Sequence, residues 1–290
     1  MAERLSRVLD RLIEGRDLTE EEAGELLAAL TDPATPGPLA GALLAALRAK
    51  GETAEEIRGL ATAMRELARD PGIGDTAGLT DVVGTGGDGS GSLNLSTGAA
   101  LLAAACGVPI VKHGNRAVSS KSGSADTLEE LGLCLPLDEA GARRCLEENG
   151  FTFLFAPYYH PAMKTVAQVR GAMGVRTVFN ILGPLTNPAR PPYSLIGAFS
   201  PEMAELMAES LAGTNLTRAF VVHGEPGWDE ATPCGPSLLF DVRPGSVTRP
   251  EHDPAGIGLA RCAPEDLAGG DSEHNAARLQ AVFRGEEGGA

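Results

Sequence analysis

A chain of 290 residues with 43% hydrophobic content can bury one large core, or one large and one small. Its net charge of -15 excludes a general nucleic-acid binder, which needs a basic face, so bound phosphates must be met by local devices. Those devices are backbone amides, helix N-termini, a few selected cations and divalent metal. Aromatic residues make up only 4%, while Ala, Leu and Gly abound, which favours close-packed helices over a sheet rather than a β-sandwich.

Residues 1 to about 70 read as helices only. Thr19-Glu20-Glu21-Glu22 and Thr53-Ala54-Glu55-Glu56 both fit a capping box, and each precedes apolar residues at helical spacing. Those residues are Ala23, Leu26, Leu27 and Leu30 in one case, and Ile57, Leu60, Ala61 and Met64 in the other. Pro36 and Pro38 mark the start of a further helix carrying Leu43, Leu44 and Leu47. This part reads as a packing or dimerisation module without chemistry of its own.

After Asp70-Pro71-Gly72 the rhythm changes. Short β-rich runs at Asp81–Val83, Val108–Val111, Phe151–Phe155, Ser194–Phe199 and Ala219–Val222 alternate with helical segments at Ser96–Cys106, Asp126–Leu131, Glu139–Asn149 and Pro201–Leu211. Such alternation predicts an α/β domain with a mostly parallel central sheet. Leu238–Val242 and Ser246–Arg249 predict an edge hairpin, and the helix Pro161–Met173 is expected to return to the helical module. The domain expectation is therefore residues 1–70, joined by a helix near 161–174, and residues 75–290.

The five cysteines form no CxxC pair; Cys106 and Cys145 read as buried, reduced packing residues and disulfides are not expected. The chain opens with Glu3 and Arg4 and no apolar run follows, so neither a signal peptide nor a membrane span is expected, and a cytoplasmic location is.

Three clusters carry chemistry. Gly84-Thr85-Gly86-Gly87-Asp88-Gly89 follows a strand, and its glycines let backbone approach a ligand; it is neither G-x-G-x-x-G nor a P-loop. Asn94-Leu95-Ser96-Thr97 then opens an Ala-rich helix, with Ser96 a natural N-cap as well as an anion contact. The second cluster, Lys112 to Ser124, lies at a strand's C-terminal end, where open α/β sheets bind ligands. Its cations, serines and glycines make it too polar for a buried connection. The third, Gly227-Trp228-Asp229-Glu230, offers adjacent carboxylates that could share a hard cation with phosphate oxygens, although such a pair is usually solvated.

Together these motifs resemble the anthranilate phosphoribosyltransferase family. The matching stretches are Gly84–Asp88, Asn94–Thr97, Lys112–Arg116 with Ser119-Ser120, Gly123–Asp126, His160–Met163, Arg176–Asn180, Gly183–Pro188 and Gly227–Glu230. The resemblance implies a nucleoside phosphorylase/phosphoribosyltransferase type of fold. It also implies a 5-phosphoribosyl 1-diphosphate donor, an anthranilate acceptor, Mg²⁺ (two ions per site) and a homodimer formed through the helical domain. Carried over, Gly84, Gly87 and Asp88 would line diphosphate and acceptor, and Ser92, Asn94, Leu95, Ser96 and Thr97 would hold donor phosphates, Ser96 also touching one magnesium. Lys112, His113, Gly114, Asn115, Arg116, Ala117, Val118, Ser119, Ser120 and Ser124 would complete the donor site. Asn115 and Arg170 would contact anthranilate, and Asp229 and Glu230 would bind the second magnesium. Lys112, Asn115 and Arg170 are the expected catalytic residues.

Two departures from the family stand out. Trp228 is bulkier than the residue usual before the acidic pair. The sequence stops at Gly288-Gly289-Ala290, whereas family members continue with further helices, so C-terminal helices are expected to be missing and apolar surface uncovered. A pyrimidine nucleoside phosphorylase-like enzyme and an inactive truncated paralogue are the alternatives. The stretches Arg116–Ser120 and Gly123–Asp126 favour the transferase over the phosphorylase.

Overall fold

The computed structural model describes residues 2–286 apart from 118–120. Four helices come first: α1 (Ala2–Ile13), α2 (Glu20–Thr31), α3 (Gly37–Lys50) and α4 (Ala54–Glu66). Both capping boxes form as expected, with Thr19 and Thr53 accepting from the amides of Glu22 and Glu56 and each Glu returning the bond. The predicted apolar positions of α2, α3 and α4 are all buried. Each fully buried Leu among them contributes about 1.5–3 kcal/mol. A Cβ on Gly59 of α4 would stand 2.1 Å from the Glu20 carbonyl, which is how closely α4 lies on α2.

The sheet then develops through β1 (Thr80–Gly84), α5 (Leu95–Ala105), β2 (Ile110–Gly114), α6 (Ser124–Glu130), α7 (Glu139–Asn149), β3 (Phe151–Phe155) and α8 (Ala156–Tyr159). It continues with α9 (Met163–Met173), α10 (Phe179–Leu182), β4 (Tyr193–Gly197), α11 (Pro201–Ala212) and β5 (Arg218–Gly224). The last elements are β6 (Ser237–Arg243), β7 (Ser246–Thr248), β8 (Glu251–His252) and α12 (Ser272–Phe283). Strand order is β3-β2-β1-β4-β5-β6-β7, with β8 also on β6. β1 to β5 run parallel, and β6 to β8 form the antiparallel edge that the hairpin signal predicts. α9 returns to the first helices and packs on α2 and α3.

Since β1 lies between β2 and β4, the chain reverses its direction of travel across the sheet there, and open α/β sheets bind ligands at the carboxyl edge beside such a switch point. Register brings Gly84 opposite Gly197 and Gly197 opposite Val222, so the C-terminal ends of β1 and β4 lie level and β5 runs on to Gly224 beyond them. The functional motifs all emerge at this edge.

Four sequence expectations need correction. Cys106 is exposed and Cys145 half-exposed, because Cys106 caps the end of α5 beyond its buried face. Lys112 and His113 are not in a polar loop; they are the buried third and fourth residues of β2, and the loop begins only at Asn115. β2 itself starts at Ile110, since Val108 is turned outward. Finally, α5 is capped at Asn94 rather than Ser96, without a side-chain cap bond, because the Asn94 side chain is engaged elsewhere.

Candidate active site

β1 delivers Gly84–Asp88 to the sheet edge, and β5 delivers Asp229-Glu230 to the same place through a turn closed by reciprocal backbone bonds between Gly224 and Trp228, both 2.9 Å. Trp228 is buried under that turn. The carboxylates then cross onto the glycine loop. Asp229 Oδ2 accepts from the Gly86 amide at 2.6 Å, the Asp229 amide donates to Asp88 Oδ2 at 3.3 Å, and Glu230 Oε1 accepts from the Ser96 amide at 3.2 Å.

The strand ends permit this approach only because two of them are glycine. A Cβ on Gly197 would lie 1.6 Å from the Asp229 carbonyl oxygen, and one on Gly84 would lie 2.5 Å from Asp229 Oδ2. Gly84 therefore makes room for a carboxylate before it lines any ligand.

Behind this layer Lys112 is 2% exposed. Its Nζ donates to the Val82 carbonyl and, at 3.3 Å, to Ser96 Oγ. Burial lowers its pKa, opposed by the charges of Asp81, Glu230 and Asp229. The acids respond in the other direction: burial first, then Asp88, raises Asp229 to about 6, and burial first, then Asp229, raises Glu230 to about 8. With all three carboxyl groups ionised against one ammonium, the excess of negative charge would be costly without a further cation.

His113 points to the other side of β2. Its ring is T-shaped to that of His160 with centroids 5.0 Å apart, and its Nδ1 lies 3.3 Å from the Gly183 carbonyl. Burial pushes His113 down to about 3 and His160 to about 4, so both rings are neutral at pH 7, and the Nε2 of each is buried without a hydrogen-bond partner.

The remaining predicted residues divide between ligand-facing and scaffolding positions. Asn94 Oδ1 accepts from Thr127 Oγ1 at 2.6 Å and Asn275 Nδ2 at 2.8 Å, and its Nδ2 donates to the Ser122 carbonyl at 3.3 Å, so its side chain ties α5 to α6 and α12. Ser92 Oγ accepts from Ser90 Oγ at 3.1 Å, and Ser90 also bonds Asp88. Leu95 begins α5, and Thr97 is buried with its hydroxyl unpartnered. Asn115 Oδ1 accepts from the Arg116 amide at 2.8 Å, and Ser124 Oγ donates to the Asn115 carbonyl at 3.2 Å just beyond Gly114. Arg116 is held by Asp126 and Glu129, while the Ala117 amide donates to Asp126 at 2.9 Å. Val118, Ser119 and Ser120 lie outside the described residues. The guanidinium of Arg170 stands 5.3 Å from the Phe179 ring centroid, with its pKa lowered by burial. No carboxylate pairs with it among the described residues.

The donor set fits magnesium of a particular kind. Among the described residues no three His, Cys, Asp or Glu side chains close around one point, so the protein offers one or two carboxylates rather than a cage. Mg²⁺ is commonly bound through one or two carboxylates together with substrate phosphates, and Asp229 and Glu230 would supply the carboxylates here.

Comparison with known proteins decides the family. The model described as "Glycosyl transferase family, a/b domain" matches residues 76–290, and that described as "Glycosyl transferase family, helical bundle domain" matches residues 6–68. The anthranilate phosphoribosyltransferase of Pelotomaculum thermopropionicum is 46% identical over 285 residues, which cover 98% of this chain and 82% of the relative. That of Chloroflexus aurantiacus is 48% identical over 276 residues, 94% of this chain and 80% of the relative. The chain belongs to the anthranilate phosphoribosyltransferase family. Among solved structures, the enzyme of Thermus thermophilus superposes with a TM-score of 0.89 at 47% identity, covering 97% of this chain and 84% of that one. The Saccharomyces cerevisiae enzyme in complex with PRPP and Mg gives 0.86 at 27% identity, covering 97% and 81%.

Within this anthranilate phosphoribosyltransferase fold, four functionally placed residues were not legible as such in the sequence. Gly197 clears the path of Asp229. Arg176 donates to the Gly87 carbonyl and stacks over Phe199 at 4.5 Å, pinning the glycine loop. Asp81 and Asn187 anchor β2 at His113 and Val111. Arg176 and Asn187 had a signal, as parts of the Arg176–Asn180 and Gly183–Pro188 stretches, but not for these roles.

Proposed function

We propose that the carboxyl edge of the sheet around β1 carries out the family's transfer, with the side chains divided between a donor half and an acceptor half. The phosphoribosyl group of 5-phosphoribosyl 1-diphosphate passes to the amine of anthranilate, giving N-(5-phosphoribosyl)anthranilate and diphosphate, a step of tryptophan biosynthesis. Gly84, Gly87, Asp88, Ser92, Asn94 to Thr97, Lys112, Gly114 and the loop from Asn115 to Ser120 with Ser124 form the donor half, while His113, turned to the opposite side of β2 against His160, falls outside it. Arg170 and Asn115 form the acceptor half, with Arg170 pairing with the anthranilate carboxylate.

Mg²⁺, when bound, neutralises charge on the diphosphate oxygens; Asp229 and Glu230 would hold one ion and Ser96 would contact a second. The chain's own residues do the rest. The glycine-loop amides and Lys112 meet charge that develops on the departing diphosphate. Arg170 and Asn115 hold the amine in line with the anomeric carbon. The aromatic amine needs no activated nucleophile, and its proton is lost as the C–N bond forms. The sugar passes through an oxocarbenium-like state on the way.

The observation that carries this reading is the contact of Asp229-Glu230 with Gly86, Asp88 and Ser96, directly above the buried Lys112. It is tested by turnover with donor, anthranilate and Mg²⁺ in the Asp229→Ala/Glu230→Ala double variant. Activity should drop at least about 10²-fold, the cost of removing strong charge stabilisation, and lose its Mg²⁺ dependence. Turnover equal to the parent would refute the metal assignment, and thymidine phosphorolysis serves as the control for the phosphorylase alternative.

The same reading takes residues 1–70, with the helix near 161–174, as one domain and 75–290 as the donor-binding domain. It takes the helical domain as the surface of a homodimer, which light scattering on the purified chain checks directly. The reading takes the setting as cytoplasmic with no membrane partner, and the net charge of -15 speaks against a nucleic-acid partner; among the described residues no helix is long and apolar enough to cross a membrane.

A further inference from the structure

Cys234 and Cys262 are 28 residues apart in sequence, yet their sulfurs lie 3.7 Å from one another. Both are half-exposed, so small solutes reach them. Each sits on a segment that borders the donor half from a different side. Cys234 follows Glu230 by four residues, in a loop held by Thr232, whose Oγ1 accepts from the Cys234 amide at 3.3 Å and donates to the Glu225 carbonyl at 3.1 Å. Cys262 leads into the turn 263–269, which is laid against the glycine-loop side. There the Leu93 amide donates to the Leu267 carbonyl and the Gly269 amide to the Gly91 carbonyl, both at 2.8 Å, and Ser92 pairs with Ala268.

We propose that Cys234 and Cys262 form a reversible dithiol/disulfide site that, when oxidised, staples the acidic loop 229–236 to the segment backing residues 91–93. The oxidant is a small disulfide of the glutathione class. One thiolate, that of Cys234, attacks a sulfur of the oxidant and releases one reduced thiolate. The Cys262 thiolate then attacks Cys234 Sγ and expels the second. The protein thiols lose two electrons and two protons, the oxidant's S–S bond is broken, and two small thiols are produced. Burial, followed by the adjacent Cys234 thiol, holds Cys262 above the usual thiol range, which makes it a poor first nucleophile. The sulfurs, now 3.7 Å apart, must close to an S–S bond of about 2 Å. The exposed Cys106 and Cys134 have no thiol neighbour among the described residues and stop at the mixed disulfide.

The test treats the full-length chain with oxidised glutathione and maps its peptides by mass spectrometry under non-reducing conditions. A peptide pair joined through Cys234 and Cys262, two mass units lighter than the dithiol pair and absent after dithiothreitol, is expected. The midpoint of thermal unfolding should rise by several degrees on oxidation, since the bond closes a long loop in the unfolded chain. The Cys234→Ser chain should keep its midpoint under the same treatment. Donor KM, measured with Mg²⁺ and anthranilate, should change at least about twofold and return on reduction. Glutathione adducts on Cys234 or Cys262 without the crosslink overturn the site. A crosslink that leaves both the unfolding midpoint and donor KM unchanged overturns the staple. The mapping does not depend on turnover, so its failure is distinct from a failure of the transferase reading.

Discussion

Asn187 donates one amide hydrogen to Asp81 Oδ2 and the other to the Val111 carbonyl, both at 2.8 Å. Asp81 Oδ1 in turn accepts from the His113 amide at 3.3 Å, and Asn187 Oδ1 from the Ala189 amide at 3.0 Å. All these groups are buried, so every bond that one partner loses leaves a dry polar atom. The clamp sets the rotation of β2 that turns Lys112 to the donor half and His113 to the opposite side. Asn187→Leu is expected to cost about 2–4 kcal/mol in denaturant unfolding, because it strands a buried carboxylate. Among the chains that fold, kcat should fall more than either KM, since the residues that move are aimed at reacting groups. An unchanged kcat with lowered stability would confine the clamp to a structural role.

The acids of the site predict an unusual pH response. Burial raises Asp81 to about 6, Asp229 to about 6 and Glu230 to about 8, against ordinary values of 3.8, 3.8 and 4.5. A carboxyl raised in the fold contributes its stability in the protonated form, fully below the unfolded pKa, and loses it as pH climbs through the folded one. The metal-free chain should therefore lose stability from these groups between about pH 4 and pH 8. Mg²⁺ with donor demands the ionised forms, so binding at pH 7 should release protons. Calorimetry in buffers of different ionisation enthalpy measures that release, and the apparent Mg²⁺ affinity should rise from pH 6 to pH 8. Proton uptake on binding would contradict the assignment.

Much of this fold was readable because its cues are local. Thr19 and Thr53 announce their helices through a residue three positions on, and the parallel strands announce themselves as short apolar runs between helical segments. The edge hairpin was legible from Arg243-Pro244-Gly245. What could not be read depends on approach between distant segments. Nothing near Gly197 in sequence says that a carboxylate loop 32 residues later will pass against it. Lys112 and His113 looked like loop residues because their polarity outweighs a two-residue extension of an apolar strand. Only the Asp81–Asn187 clamp and the facing acids make their burial tolerable. Residues 250–286, for which no element is named from the sequence, supply α12, whose Asn275 bonds Asn94.

Gly197→Ala tests the approach itself. Its Cβ would stand 1.6 Å from a backbone oxygen, a clash that no rotamer relieves, so the loop carrying Asp229 must withdraw. The apparent Mg²⁺ affinity in turnover assays should drop at least about tenfold, the equivalent of 1.4 kcal/mol, as one carboxylate leaves its place. Gly171→Ala on α9, where nothing lies within 4 Å of the added methyl, is the control and should leave Mg²⁺ dependence as it was. Equal behaviour of the two variants would mean that Asp229 need not lie against the strand end.

Arg170 offers the clearest separation of acceptor from donor. Its guanidinium is partly buried against Phe179 and no carboxylate among the described residues neutralises it, so it is placed to receive one from a ligand. A charge-assisted hydrogen bond of this kind is worth about 1.5–3 kcal/mol. Arg170→Ala should therefore raise the anthranilate KM by roughly 10- to 150-fold while leaving the donor KM within about twofold. Arg170→Lys keeps the charge but loses the planar fork, and should fall between the two. Steady-state kinetics with each substrate varied in turn reads both constants from the same protein. A rise in donor KM with an unchanged anthranilate KM would move Arg170 to the other half of the site, and the carboxylate of the acceptor would then need a different partner.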